Sequence, residues 1–139
     1  MIGQYELASE ATFTPLKMVL VVEDDVDFGT NLVQVIREET VYHAMHVTDA
    51  FEALRVIGHL KCDLFLLDYQ LPGIDGIDLY DLLCSTPGYE EVSAIIISAS
   101  ARVPQREMEK RNLVRLNKPF ELDVLLHTMQ ELLEPAVSH

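Results

Sequence analysis

Short apolar runs alternate along this chain with segments in which apolar residues recur every three or four positions. Val19 to Val22 and Ala94 to Ile97 are apolar throughout, which is typical of strands buried on both faces. Three further strands are predicted at 44–47, 64–67 and 113–116. Strands that alternate with helices in this way form a parallel sheet with helices on both faces. The alternation therefore predicts a doubly wound α/β fold.

Helices are predicted after each strand from apolar spacing and from residues that favour helix ends. Asp49, followed three residues later by Glu52, has the pattern of a capping box. Asp25 and Asp75 are predicted to begin helices, because carboxylates stabilise helix N-termini. Pro104 suits the first turn of the fourth helix. The predicted helices cover residues 27–39, 50–58, 75–84, 104–111 and 121–134.

Polar residues stand at the ends of four predicted strands, namely Glu23-Asp24, Asp68, Ser98 and Lys118. The carboxyl ends of parallel strands meet at one edge of a sheet, where ligands bind in open α/β folds. Carboxylates that meet there raise one another's pKa unless a cation joins them. Because Mg²⁺ is the cation suited to an all-oxygen site, the pattern predicts an acidic metal pocket with Asp68 as its reactive carboxylate.

The length and charge of the chain limit its organisation and its partners. With 139 residues, we expect one domain at 17–134, an N-terminal tail at 1–16 and a C-terminal tail at 135–139. The net charge of −13 argues against binding to nucleic acid or to an anionic membrane, because phosphates would be repelled. The N-terminus lacks the basic and apolar regions of an export signal, and every apolar run is far shorter than the roughly 20 residues that cross a bilayer.

The cysteines and histidines give no sign of a second metal site. Cys62 and Cys84 are too far apart in sequence for a metal-type or redox-type pair, so we expect reduced thiols and a cytoplasmic protein. His43 and His46 are predicted on opposite faces of the second strand. A zinc site built from them is therefore not expected.

Four ordered segments of the sequence resemble those of a known family. They are Val-Leu-Val-Val-Glu-Asp-Asp (19–25), Leu-Leu-Asp-Tyr-Gln-Leu-Pro-Gly-Ile-Asp-Gly (66–76), Ile-Ile-Ser-Ala (96–99) and Asn-Lys-Pro-Phe (117–120). Together they are similar to the receiver domain of two-component response regulators, of the chemotaxis-Y type, over about residues 17–134. The resemblance implies a flavodoxin-like (βα)5 fold with strand order 2-1-3-4-5.

The resemblance also implies the roles of the metal-binding residues. Asp68 would be both phosphoacceptor and metal ligand. Asp24 would be the principal carboxylate ligand of Mg²⁺, with Glu23 acting mostly through water. The backbone carbonyl of Gln70 would supply a further ligand, and its side chain is placed to influence hydrolysis of the acyl phosphate.

Three further residues would act on the phosphoryl group or shape its surroundings. Ser98 stands where threonine is often found and would donate a hydrogen bond to a phosphoryl oxygen. Lys118 would form an ion pair with the phosphoryl group, and Pro119 resembles the cis-proline of the family. Arg115 departs from the pattern, because it occupies a position that is usually aromatic and linked to switching. It could pair with an acidic partner or be solvated.

The resemblance predicts a signalling switch rather than an enzyme acting on a separate substrate. A sensor histidine kinase or a phosphotransfer protein would donate the phosphoryl group, and contact with an unidentified downstream protein would carry the output. The chain would be a monomer or a weak homodimer. A phosphorylation-independent interaction module is the main alternative. A phosphatase with an aspartate nucleophile is a third hypothesis, ranked last because Gln70 stands where a second acid would be needed.

Overall fold

A computed structural model describes residues 16–134 of the chain, so the tails predicted at 1–16 and 135–139 lie almost entirely outside the described residues. Within this part, strands and helices alternate as the sequence predicts. The strands are β1 (Met18–Val22), β2 (His43–Val47), β3 (Leu64–Asp68), β4 (Gln70–Leu71), β5 (Ile74–Asp75), β6 (Ser93–Ser98) and β7 (Val114–Asn117). The helices are α1 (Val26–Glu39), α2 (Ala50–Ile57), α3 (Gly76–Cys84), α4 (Gln105–Lys110) and α5 (Leu122–Leu133).

Five strands form one parallel sheet in the order β2-β1-β3-β6-β7. Numbered among themselves, these strands have the order 2-1-3-4-5, which confirms the predicted flavodoxin-like fold. The register pairs Val22 with both Val47 and Leu67, and it pairs Asp68 with Ile97. The ends of the strands are therefore level, and the residues after them meet at one edge.

Alternate residues of the central strands face two separate cores. Leu20 and Phe65 belong to the core under α2, α3 and α4, whereas Val21 and Leu66 belong to the core under α1 and α5. All four are at most 1% exposed. Burial of side chains on both faces explains why the strands read as continuous apolar runs.

Three helices begin at the predicted aspartates. The side chains of Asp25, Asp49 and Asp75 each accept a hydrogen bond from the amide three residues later, at 2.8 to 3.0 Å. Such bonds satisfy amides that the helix leaves without a partner. Helix α4 differs, because Pro104 precedes its first residue instead of lying within its first turn and gives no side-chain cap.

Helix α4 has only six residues, and its C-terminal end is joined to α3 by one side chain. The guanidinium group of Arg111 donates two hydrogen bonds to Asp81 of α3, both at 2.8 Å. It also bonds the carbonyl and the carboxylate of Glu107 in α4, at 2.8 and 2.9 Å. Arg111 therefore connects α3 to the C-terminal end of α4. This is the end opposite the loop that leads into α4.

Some boundaries differ from the predictions. The fifth strand of the sheet begins one residue later than predicted and extends to Asn117. The antiparallel pair β4–β5 was not predicted, because strands of two residues are too short to show a period. Gly73 has a φ of 76° in the turn between them, a conformation that favours glycine. In residues 16–134, no helix has the length and apolar character that crossing a bilayer requires.

Candidate functional site

Three carboxylates meet at the carboxyl edge of the sheet. Glu23 and Asp24 follow β1, and Asp68 ends the neighbouring strand β3. One carboxylate oxygen from each lies within 4.8 Å of the others. Glu23 is 3% exposed and Asp68 is 8% exposed, whereas Asp24 faces solvent. The residues of the predicted acidic pocket are thus brought together, with Asp24 on the side open to solvent.

Lys118 supplies a positive charge within the same pocket. Its Nζ donates a hydrogen bond to Oε1 of Glu23 at 2.9 Å and lies 3.8 Å from Oδ1 of Asp68. The Nζ also lies 4.5 Å from the centre of the Phe28 ring, which is a cation–π distance. The peptide bond between Lys118 and Pro119 is cis, as the resemblance implied. The ammonium group of Lys118 is thus held beside Asp68 by Glu23, and its predicted ion pair with a phosphoryl group stays a prediction.

The backbone of Lys118 is positioned by its pairing with the end of β6. Ser98 pairs with Asn117 in the register of β6 and β7. The backbone amide of Lys118 then donates to the carbonyl of Ser98 at 2.8 Å. Sheet pairing thus fixes the backbone of Lys118 beside the end of β6.

The environment shifts the pKa values of two buried carboxyl groups in opposite directions. Burial and the negative charge of Glu23 raise the pKa of Asp68 to about 6, although Lys118 opposes this change. Burial also acts to raise the pKa of Glu23, but hydrogen bonds from Lys118 and the Asp25 amide outweigh it and lower that pKa. Glu23 is therefore the carboxylate that Lys118 neutralises, and Asp68 holds the less stable charge.

Ser98 has its hydroxyl group engaged within its own loop. The residue is 1% exposed, and its Oγ accepts a hydrogen bond from the amide of Ser100 at 2.9 Å. Because Ser98 ends the strand next to β3, its hydroxyl lies at the same sheet edge as Asp68. The hydrogen of this hydroxyl points toward the carbonyl of Ser100 at a long 3.4 Å, so contact with a group on Asp68 would exchange this weak bond for a new one.

Arg115 bonds that same loop. Its Nη2 donates to the carbonyl of Ser100 at 2.6 Å, and its Nε donates to Oδ1 of Asn117 at 2.8 Å. The side chain therefore lies between β7 and the loop after β6. The sequence left two alternatives for Arg115, namely pairing with an acidic partner or solvation. The arrangement differs from both, because the guanidinium group bonds a backbone carbonyl.

Gln70 and Gly76 shape the loop that follows the phosphoacceptor candidate. The exposed residue Gln70 begins β4, and its amide lies 3.4 Å from Oδ1 of Asp68. A Cβ on Gly76 would lie 2.7 Å from the carbonyl oxygen of Asp68, so only glycine allows α3 to begin so close to β3. The use of the Gln70 carbonyl as a metal ligand stays a prediction.

Two residues at the back of the site were missed as functional candidates. The Nε2 atom of His46 lies 2.7 Å from the carbonyl oxygen of Glu23. The imidazole ring rests against Gly29 of α1, where an added Cβ would lie 2.2 Å from Nε2. The predicted placement of His43 and His46 on different faces agrees with their different exposure, since His43 is exposed and His46 is half-buried.

The donor atoms of the pocket fit a hard divalent cation. Among residues 16–134, the group of acidic, histidine or cysteine side chains close enough to share a metal ion consists of Glu23, Asp24 and Asp68. All of these donors are oxygens, which Mg²⁺ prefers over nitrogen or sulfur. Burial and the nearby charge of Glu23 raise the pKa of Asp68, and a cation would relieve the second of these effects.

Comparison with known proteins identifies the family. The family described as "Response regulator receiver domain" matches residues 19–130. Sporulation initiation phosphotransferase F of Bacillus subtilis (strain 168) is 26% identical over 117 residues, which are 83% of this chain and 92% of that protein. The chain therefore belongs to the response regulator receiver domain family.

Solved structures of other proteins have the same fold. A CheY-like receiver domain protein from Methanospirillum hungatei JF-1 has a TM-score of 0.78 and 23% identity, with 86% of this chain and 95% of that chain covered. The receiver domain of the sensor histidine kinase PA1611 from Pseudomonas aeruginosa PAO1, solved with magnesium in its active site cleft, has a TM-score of 0.73 and 25% identity. That alignment covers 86% of this chain and 98% of the other.

Other relatives are much longer than the matched region. The signal transduction histidine-protein kinase BarA of Escherichia coli (strain K12) is 27% identical over 92 residues, which are 66% of this chain but only 10% of BarA. The chain thus spans about a tenth of this relative. Similarity to BarA is limited to that region.

Proposed function

We propose that this receiver domain accepts a phosphoryl group on Asp68 from a phosphohistidine donor and thereby changes its contacts with other proteins. The observation that carries the proposal is the position of Lys118. Its ammonium group lies 3.8 Å from Asp68 and 2.9 Å from Glu23, two members of the cluster of three carboxylates. Phosphoryl transfer depends on positive charge placed around the oxygens of the transferred group, and the pocket offers such a charge beside a carboxylate nucleophile.

The transfer step breaks one bond and forms one bond. A carboxylate oxygen of Asp68 attacks phosphorus, and the bond from phosphorus to the histidine nitrogen of the donor breaks. The nitrogen keeps the electron pair of that bond, and the donor leaves as neutral imidazole because its other ring nitrogen carries a proton. Asp68 then carries an acyl phosphate. Lys118 would move from its contact with Glu23 toward the phosphoryl oxygens, a short distance given its present position.

Mg²⁺ is part of the proposal. When bound, it would supply positive charge to the phosphoryl oxygens and reduce repulsion between the carboxylates and an incoming phosphate. Asp24, Asp68 and the Gln70 carbonyl would be direct ligands, with Glu23 acting mostly through water. The close approach of the three carboxylates supports a cation at this position, as does the magnesium ion coordinated in the active site cleft of the PA1611 receiver domain.

Phosphorylation would act on the loop after β6. The new group adds roughly −1.5 to −2 charges and three strong acceptor oxygens. Ser98 accepts from the Ser100 amide at 2.9 Å and points its own hydroxyl hydrogen toward the Ser100 carbonyl at a long 3.4 Å. Donation to a phosphoryl oxygen would turn that hydrogen away from Ser100, and we propose that the loop at Ser100 moves with it. Movement of Ser100 would break or redirect the bond from Arg115. The surface formed by α4, β7 and α5 would change as a result, and we propose that this surface carries the output.

The proposal also covers the source of the phosphoryl group and the location of the protein in the cell. A sensor histidine kinase or a phosphotransfer protein would donate the phosphoryl group, and the names of BarA and phosphotransferase F support donors of this class. The protein would be a phosphoacceptor with self-catalysed transfer rather than an enzyme for a separate substrate. A cytoplasmic location fits Cys62 and Cys84, which are both free cysteines.

Intact-mass measurement after incubation with Mg²⁺ and acetyl phosphate tests the proposal. We expect one added phosphoryl group in the wild type and none in Asp68→Asn or without metal. Asp78→Asn, which removes an exposed carboxylate from the first turn of α3, is the matched control and should retain the addition. If folded, Mg²⁺-bound wild type gains no mass from acetyl phosphate or from a phosphohistidine protein, the phosphorylation-independent module becomes the better hypothesis.

A further inference from the structure

His46 contacts the main chain of the acidic pocket at Glu23. Its Nε2 lies 2.7 Å from the carbonyl oxygen of Glu23. A carbonyl oxygen can only accept, so Nε2 must carry the hydrogen of this bond. His46 pairs with Val21 in the register of β1 and β2, which places it next to the end of β1. The ring therefore contacts the chain where β1 turns into the acidic segment.

Gly29 provides the space for this ring. The residue is buried in α1, and a Cβ there would lie 2.2 to 2.6 Å from three atoms of the imidazole. Real Cβ contacts are never so short, so any other residue would displace the ring. Glycine within a helix lowers helix stability relative to alanine. A glycine at this point of α1 is thus explained by the position of His46.

Glu23 is held by β2 at both of its backbone polar groups. Its amide donates to the carbonyl of Val47 at 3.0 Å, and its carbonyl accepts from His46. From this fixed backbone, the carboxylate of Glu23 reaches Lys118 at 2.9 Å and the amide of Asp25 at 3.1 Å. A shift of the Glu23 backbone would therefore move two groups together, namely the Glu23 carboxylate that pairs with Lys118 and the backbone of Asp24.

We propose that His46 is a positioning residue of the phosphorylation site. Its hydrogen bond to the Glu23 carbonyl orients the Glu23–Asp24 peptide so that both carboxylates converge on the cation and Lys118 stays beside Asp68. Gly29 also contributes to this positioning, because it leaves the space that the His46 ring needs to reach the Glu23 carbonyl. The inference rests on the proposed function for its consequence, but the hydrogen bond itself can be tested without metal or phosphate.

Mg²⁺ affinity is the first measurement. Titration calorimetry with MgCl₂ should show about tenfold weaker binding for His46→Phe, which keeps a ring but removes the donor, since loss of a bond that orients a metal ligand typically has this effect. His43→Phe, on the exposed side of the same strand, is the matched control and should stay within about twofold of wild type. Equal Mg²⁺ affinity for wild type and His46→Phe would overturn the proposal.

Gly29→Ala keeps His46 and removes only the space for its ring. We expect it to weaken Mg²⁺ binding in the same direction as His46→Phe. If His46→Phe does not fold, the Mg²⁺ affinity of Gly29→Ala tests the proposal instead. His46→Gln, whose side-chain amide can donate, should recover part of the affinity lost in His46→Phe. Wild-type affinity in folded Gly29→Ala would contradict the proposal.

Two metal-free measurements separate this inference from the proposed function. Nitrogen-15 NMR of the wild type should find a hydrogen on Nε2 of His46. Hydrogen exchange at the amides of Asp24 and Asp25 should be faster in His46→Phe than in His43→Phe. These results would support the positioning role even if the wild type were not phosphorylated. Exchange equal to wild type in His46→Phe would overturn it, whatever the outcome of phosphorylation.

Discussion

The two sides of the site are held in different ways. On the acidic side, formed by Glu23, Asp24 and Asp68, Glu23 is anchored by its amide, its carbonyl and both carboxylate oxygens. On the hydroxyl side, formed by Ser98, Ser100 and Arg115, the serine hydroxyl bonds an amide only two residues away. One side is thus fixed to neighbouring strands, and the other is fixed to a loop. In the proposed function, the chemistry of transfer takes place on the side fixed to strands, and the response takes place on the side fixed to a loop.

Lys118 connects the two sides, so its replacement should have the largest effect. In Lys118→Met, we expect the initial rate of phosphorylation by acetyl phosphate to fall on the order of 100-fold, because the positive charge beside the phosphoryl oxygens is lost. Mg²⁺ affinity should not fall, since the ammonium group no longer competes for Glu23. Mass spectrometry gives the rate, and Lys110→Met, an exposed lysine paired with Glu107, is the control. An unchanged rate would refute the role of Lys118.

The unfavourable charge of Asp68 should be visible as a dependence of stability on pH. The folded-state pKa of about 6 lies above the ordinary value of 3.8, so the folded protein binds this proton more tightly than the unfolded chain. The Asp68 carboxylate therefore lowers stability progressively as pH rises from about 4 to about 6. Above this range and without Mg²⁺, Asp68→Asn should be more stable than wild type by on the order of 2 kcal/mol.

Urea unfolding at pH 4 and pH 7 measures this difference. The advantage of Asp68→Asn should shrink at the lower pH, and added Mg²⁺ should reduce it at pH 7 by binding the wild type more tightly. Asp78→Asn provides the comparison for removal of an exposed carboxylate. An advantage that is the same at both pH values would show that the charge of Asp68 is not its source.

Gly29→Ala tests how firmly the acidic side is packed. In an exposed helix this substitution would stabilise the protein by about 1 kcal/mol. Here the new Cβ would meet the His46 ring, so we expect a loss on the order of 1 to 2 kcal/mol from overpacking. In a His46→Ala background, the same substitution should become stabilising. A double-mutant cycle from urea unfolding gives the coupling, and additive effects would argue against the contact.

Arg115→Ala should have the smallest effect on stability and should separate the two sides. The side chain is only half-buried, and loss of its hydrogen bonds should cost no more than about 1 kcal/mol. The phosphorylation rate should stay within about twofold of wild type, because the guanidinium group bonds Ser100 and Asn117 rather than the carboxylates of the acidic side. Hydrogen exchange should become faster at Ser100 and Arg102. A tenfold slower phosphorylation would mean that the two sides are not separable.

The sequence was sufficient to predict the sheet and the position of the acidic cluster. Continuous apolar runs locate buried strands, and parallel strands of similar length bring their ends to one edge. Asp25, Asp49 and Asp75 were recognisable as helix starts because capping depends on residues that are local in sequence. Glu23, Asp68 and Lys118 were therefore predictable as neighbours from strand order and from the family resemblance.

The contacts of His46 and Arg115 could not be predicted in the same way. His46 reaches Glu23 only because β1 and β2 adopt one register and because Gly29 lies on a third element. Arg115 bonds a carbonyl in a loop whose path no local pattern specifies. Both contacts use backbone carbonyls, which every residue carries, so the sequence does not mark the acceptor. A glycine inside an otherwise helical segment was the one visible signal for the first contact.

The connection made by Arg111 has a geometric consequence for α4. The C-terminal end of this helix is joined to α3 through Asp81, whereas its N-terminal end has no side-chain cap and continues from the loop that carries Ser100. A shift of that loop would therefore rotate α4 about its far end. Displacement would grow along the helix, over roughly 9 Å for six residues, from Lys110 toward Gln105. A protein bound near Gln105 would therefore contact the part of α4 that is displaced most, and a protein bound near Lys110 would contact the part that is displaced least.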